Sequence, residues 1–257
     1  MRNIKLTLAY DGAQFHGWQI QPGVATIQGT LTDVVRKITQ EPVSIHGASR
    51  TDAGVHALGQ VASFKTRSGL TAEELRRAVN ALLPAAIRVM EAEEMGPDFH
   101  ARWQAMEKTY QYRIFRGTVM PPFEDQRMLH YPIVLDEEAM TEAAKRFEGE
   151  HDFTSFAATS GSEETDRDRS PVRVICRSEL KQHAERQEVD YVVTGKSFLR
   201  YMVRKIVGTL LEVGRGKLRP EDIPAIFEAR DRSRSGPTAP AEGLYLVGLK
   251  YPEPWKI

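Results

Sequence analysis

A chain of 257 residues is long enough for one large or two ordinary domains, and 41% hydrophobic with 27% charged residues is the balance of a globular protein. Lys plus Arg equals Asp plus Glu at 35 each, so the overall charge points to no polyanionic partner, and any such partner must be met by local clustering. The lone cysteine, Cys176, excludes a disulfide within the chain, and no run approaches the length of a membrane span. Cys176 sits in the largely apolar run Val172-Arg173-Val174-Ile175-Cys176 and is expected in the core. Met1-Arg2-Asn3-Ile4-Lys5 runs straight into a strand pattern and leaves no room for a signal peptide, so a cytoplasmic protein without a membrane partner is expected.

Ile4, Leu6, Leu8 and Tyr10 alternate with Lys5, Thr7 and Ala9, which predicts a strand ended by Asp11-Gly12. The polar-aromatic loop Phe15-His16-Gly17-Trp18-Gln19 follows. Ile27, Leu31, Val34, Val35 and Ile38 fall at helical spacing. Glu41 to Ile45 and Gln60 to Phe64 read as two further strands. Thr71-Ala72-Glu73-Glu74 is a capping box that opens a helix burying Leu75, Val79 and Leu82, and Ile87 starts another strand. The first hundred residues thus read β-α-β-β-α-β, the ferredoxin-like order.

The second half reads in the same order. Thr109 to Phe115 is a strand by residue type and alternation. A Pro-rich crossing at Pro121-Pro122 leads to a helix from Asp136 that buries Met140, Ala144 and Phe147. Arg173 to Leu180 and Val189 to Thr194 form a strand pair. Phe198, Met202, Ile206, Leu210 and Val213 predict a long amphipathic helix ended by Gly214 and Gly216. A short extra helix spans Pro220 to Arg230, and Leu244 to Tyr251 closes as a strand. The fold class is therefore α+β, with two ferredoxin/RRM-like halves at 1–103 and 104–257, largely antiparallel sheets with helices on one face, and a duplicated element order. Ala157 to Ser170 has little to bury and is expected to be a mobile loop.

One stretch organises the rest: Gly47-Ala48-Ser49-Arg50-Thr51-Asp52-Ala53-Gly54-Val55-His56-Ala57. In an extended segment Arg50 and Asp52 would share a face, and the guanidinium would keep the carboxylate ionised at neutral pH. Gly47 and Gly54 allow backbone angles or close approaches that a side chain would block. An isolated Arg-x-Asp is otherwise a common and weak surface ion pair.

No His-Glu-x-x-His, cysteine pair or Gly-rich phosphate loop is present, so neither a metal nor a nucleotide cofactor is expected. The case for RNA is local. Between Lys196 and Arg219 stand seven basic residues, Lys196, Arg200, Arg204, Lys205, Arg215, Lys217 and Arg219, against Glu212 alone. Several fall on the predicted helix, where Arg200 and Arg204 would share a face.

The 47–57 motif resembles the active-site motif of the tRNA pseudouridine synthase A family, and the likeness extends over almost the whole chain. Its other segments are Tyr10-Asp11-Gly12, Phe15 to Gln19, Thr26-Ile27-Gln28-Gly29, Phe99-His100-Ala101-Arg102, Lys108 to Tyr112, His151 to Phe156, Phe198 to Arg204 and Ala239 to Leu244. One departure is Arg200-Tyr201, where members often carry His or other polar residues. The resemblance implies two related halves around a cleft and conversion of uridine to pseudouridine at positions 38, 39 and 40 of the tRNA anticodon stem-loop. It implies no cofactor or metal, and a homodimer that binds tRNA. Asp52 matches the family nucleophile, and Arg204 the arginine that pairs with it. Tyr110 matches the tyrosine that stacks on the uracil and joins the proton transfer. Arg50 would fill the place of the flipped-out base or steady the RNA backbone, and Leu244 would pack on the base from the other side. Arg200, Arg215 and Lys217 are the phosphate-contact candidates on the basic stretch.

Two other readings stand beside this one. A non-catalytic RNA-binding protein of tandem RRM-like halves lacks its usual stacking signature here. A metal-free glycoside hydrolase would need a second carboxylate, and none lies between Glu41 and Glu73 apart from Asp52.

Overall fold

The computed structural model describes residues 1–158 and 170–253. Its strands are β1 (Arg2–Tyr10), β2 (His46–Gly47), β3 (His56–Thr66), β4 (Ile87–Met95), β5 (Glu107–Phe115), β6 (Leu129–His130), β7 (Gly149–Asp152), β8 (Val172–His183), β9 (Glu188–Gly195) and β10 (Leu244–Lys250). Its α-helices are α1 (Ile27–Thr39), α2 (Ala72–Leu82), α3 (Glu137–Lys145), α4 (Met202–Gly214) and α5 (Asp222–Ala229). The chain divides into two compact units, residues 1–108 with the segment from Tyr245 onward, and Thr109–Leu244. Residues 159–169 of the expected mobile loop lie outside the described residues.

In the first unit β1 pairs antiparallel with both β3 and β4, β2 lies antiparallel along β3, and β10 meets β3 in parallel at Tyr245–His56. The alternation of β1 is realised: Ile4, Leu6, Leu8 and Tyr10 are buried. Each fully buried Leu or Ile contributes about 1.5–3 kcal/mol, so one face of this strand anchors the unit. Thr26 caps α1 by accepting from Gly29 N, and Thr71 and Glu74 form the capping box of α2. The buried stripe of α1 includes Thr32 and Thr39 rather than Val34 and Ile38, with the Thr39 hydroxyl bonded back to Val35 O at 2.9 Å.

The strand expected at Glu41 to Ile45 is not one. Val43 and Ile45 are buried in alternation, but regular pairing begins only at His46. Pro42 has no N–H to donate, and side chains of α1 take the carbonyls instead. Arg36 donates to Val43 O and Gln28 to Ile45 O at 2.8 Å.

In the second unit the strands lie in the order β5-β9-β8-β7, and β6 joins β5 in parallel. Asp136 caps α3, and Met140, Ala144 and Phe147 are buried, Phe147 just beyond the helix. Cys176 is exposed, contrary to expectation. The register of β8 on β9 slips between Ile175 and Arg177, and Cys176 is the extra residue of that bulge, pushed out of the alternation.

Helix α4 also differs from its prediction. It starts at Met202, because Tyr201 at φ 63° holds the left-handed conformation, so Phe198 and Arg200 precede the helix. It is buried around most of its circumference instead of on one stripe. Lys205 is buried with it, donating to Arg232 O at 3.2 Å and Gly236 O at 2.6 Å. Burial, and then the Arg232 charge, push the Lys205 ammonium down to about 8. Lys205 is therefore a structural cation and no part of a phosphate-binding face.

Candidate active site

The 47–57 motif folds as a loop between β2 and β3, and polar side chains clamp its backbone from below. Gln60 is fully buried in β3; its amide donates to Ser49 O at 2.7 Å and its carbonyl accepts from Ser49 N at 3.2 Å. The Tyr10 and Thr51 hydroxyls bond at 2.8 Å. Lys108 Nζ donates to Ala48 O at 2.7 Å, and Gly12 N donates to His56 Nδ1 at 3.1 Å. A buried amide or hydroxyl must find partners, so each of these contacts fixes one register of the loop.

The loop is gripped from the other side by Phe15 to Trp18. Trp18 N donates to Thr51 O at 3.0 Å, and Gly54 N to Phe15 O at 3.2 Å. Gly54 holds φ 79°, and a Cβ on Gly47 would lie 2.3 Å from the Trp18 indole, so both glycines are required as expected. Ala48, Thr51 and Val55 are buried, Asp52 is half-buried and Arg50 is exposed. The result is a carboxylate on a short turn whose backbone has little freedom, presented at the surface of the first unit.

The second unit carries the other expected residues. Tyr110, on β5, is buried, with its ring edge-on to Phe198 at 5.0 Å. Arg204, in the first turn of α4, donates from Nε to Ala239 O at 2.7 Å, and Ala239 N returns a bond to Arg204 O at 3.1 Å. The buried Tyr112 hydroxyl donates to Pro240 O at 2.8 Å, and burial raises its pKa so that it stays a neutral donor. Arg113 N donates to Gly243 O, and Leu244, buried at the start of β10, donates to Ala241 O. The Ala239 to Leu244 segment is thus tied to α4 and β5 at once. The Tyr201 ring lies under two guanidinium groups, Arg200 at 4.9 Å and Arg204 at 5.1 Å. Arg215 and Lys217 both reach Glu212, at 2.9 and 3.2 Å, so the basic exit of α4 is partly neutralised from within.

Sequence reasoning missed the clamp. Gln60 was one residue in a predicted strand, and its signal was a bulky amide where an apolar residue would be ordinary. Tyr10 and Lys108 lay inside segments of family likeness without an assigned task. Among the described residues no cluster of three or more His, Cys, Asp or Glu could hold a metal ion, and no helix is long and apolar enough to cross a membrane.

A family model described as tRNA pseudouridine synthase matches residues 7–104 and 143–252. The chain belongs to that family. A tRNA pseudouridine synthase A of Solibacter usitatus is 50% identical over 252 residues, covering 98% of this chain and 100% of that one. One of Acetivibrio thermocellus is 45% identical over 251 residues, with the same two coverages. The likeness to these synthases therefore runs the full length of both units and takes in the clamped Asp52 loop.

Proposed function

We propose that this chain isomerises uridine to pseudouridine in the anticodon stem-loop of tRNA, at positions 38, 39 and 40, acting in the cytoplasm as a homodimer. The supporting observation is the Asp52 loop, held by Gln60, Tyr10, Lys108 and Trp18 in a chain that matches tRNA pseudouridine synthases over its full length. In the reaction the N1–C1′ bond breaks, the uracil turns, C5 bonds to C1′, and the C5 proton moves to N1 or solvent. Nothing is oxidised or reduced, and no atom is supplied from outside, so an ionised carboxylate, a proton acceptor and exclusion of water suffice. Asp52 is the nucleophile in this proposal, with Arg204 holding it ionised. The target nucleotide leaves the stack to be reached, Arg50 takes its place or steadies the backbone, and Tyr110 and Leu244 hold the base. Mapping of carbodiimide-modified pseudouridine on a tRNA transcript tests the assignment. Stops at positions 38–40 are expected after incubation with the enzyme, and none there would contradict it.

Tyr110→Phe separates stacking from proton transfer. The ring and its contact with Phe198 remain, so tRNA binding should hold within about twofold, while product formation falls by about a hundredfold, near 2.7 kcal/mol in the barrier. Wild-type single-turnover rates in the Phe variant would leave Tyr110 with stacking alone.

The exit of α4 is the proposed phosphate track, with Arg200 before the helix. Arg215 and Lys217 would exchange part of their pairing with Glu212 for phosphate oxygens. Replacing both with Gln should weaken tRNA binding and flatten the slope of log affinity against log salt by up to about two. An unchanged slope would make this stretch a solvated ion-pair cluster.

A further inference from the structure

The first unit carries a row of rings that the proposed chemistry leaves unused. His46 is exposed on β2, two residues before Ala48. Its ring lies 4.9 Å from that of His100, which lies 5.6 Å from that of Trp103, both pairs tilted by about a third of a right angle. The Arg102 guanidinium sits 5.1 Å over the Trp103 ring. Trp103 is 64% exposed, whereas the other described tryptophan, Trp18, is 1% exposed. An indole left this open forgoes most of its hydrophobic gain, and an exposed aromatic of this kind marks a contact surface.

The exposure is built in. Ala101 N donates to Ser63 Oγ at 3.1 Å, and Tyr251 Oη donates to Ala101 O at 2.7 Å. His100 Nδ1 accepts from Arg102 N at 3.1 Å, and the Gln104 side chain closes the turn onto His100 N and Asp98 O. Trp103 is therefore held outward by a turn that is bonded on every side. The same turn shares a core with the catalytic loop, since Ala48, Phe99 and Ala101 pack together with Val61 and Met95.

A rigid aromatic face beside a guanidinium suits an unpaired nucleobase, which stacks on the ring while the cation meets its phosphate or its π-face. We propose that Trp103, with Arg102, His100 and His46, is a stacking platform for an unpaired nucleotide of the tRNA, apart from the residues that take the target uridine. The proposal rests on the tRNA-modifying function above. A protein side chain is the weaker occupant, because it would use the apolar ring but leave the guanidinium and two imidazoles without an acceptor.

The experiment is filter binding of an unmodified tRNA transcript to the full chain and its variants, alongside tritium release from C5-labelled tRNA. Trp103→Ala should raise Kd by about tenfold or more, the loss typical of one stacked base, with the single-turnover rate at saturating tRNA within about twofold. Trp103→Phe should recover most of the affinity, and the thermal midpoint should be unchanged in both. Unaltered Kd in Trp103→Ala, with the unsubstituted enzyme active, overturns the platform and leaves the tRNA function standing. Equal recovery by Trp103→Leu also overturns it, since apolar packing without stacking would then suffice. An unsubstituted chain that neither binds nor isomerises tRNA overturns both.

Discussion

Replacing Asp52 with Asn should abolish pseudouridine formation while tRNA stays bound. The amide is nearly the same shape as the carboxylate, and the clamp around it acts on backbone atoms and on Thr51, none of which the substitution changes. What is lost is the negative charge that makes the side chain a nucleophile. Affinity for tRNA comes mainly from phosphate contacts and should hold within a few-fold. Single-turnover product formation should fall by at least about a thousandfold, roughly 4 kcal/mol in the barrier. Turnover within about tenfold of the unsubstituted enzyme would falsify the nucleophile assignment.

The second large effect comes from a residue with no side chain. Gly17 holds φ 82°, and a Cβ there would lie 2.6 Å from Thr51 O and 3.0 Å from the Asp52 carbonyl carbon. In Gly17→Ala the left-handed backbone costs about 1–2 kcal/mol, and the Asp52 loop must move to make room. A displacement of about 1 Å at the reacting groups can cost about a hundredfold, so kcat should fall by about that factor while the fold survives with a lowered thermal midpoint. Gly23 supplies the control. It holds φ 76° with nothing within 4 Å of its added Cβ, so Gly23→Ala carries the strain alone and should keep near-normal kcat. Equal kcat in the two variants, measured at saturating tRNA, would mean that the Phe15 to Trp18 loop does not position Asp52.

These glycines show what could be read in the chain beforehand. The α+β order, the capping boxes and the alternation of β1 follow from local rules, and local rules hold where one face of an element is buried. They fail where side chains compete for backbone groups. Val43 and Ile45 alternate as a strand would, but Arg36 and Gln28 occupy the carbonyls that a neighbouring strand would need. They fail again at Tyr201, whose left-handed turn delays α4 by a full turn, and at Cys176, which a bulge turns outward. Lys205 misled for a related reason: a cation in a basic run looks solvated until two backbone carbonyls are found to hold it. Asp52 was legible because its motif is long, unbroken and specific. Its support was not, because Gln60, Tyr10 and Lys108 come from 8 residues after, 42 before and 56 after it in the chain, and only the fold brings them under one loop.

The most direct measurement is release of tritium from tRNA labelled at uridine C5. Forming the C5–C1′ bond displaces the C5 hydrogen, whereas RNA binding alone, or hydrolysis of the glycosidic bond, leaves it in place. The proposed isomerisation requires tritium to appear in water in step with pseudouridine, in an amount matching the modified positions, and not to appear with Asp52→Asn. A protein that binds tRNA tightly but leaves all tritium on the uracil would contradict the account.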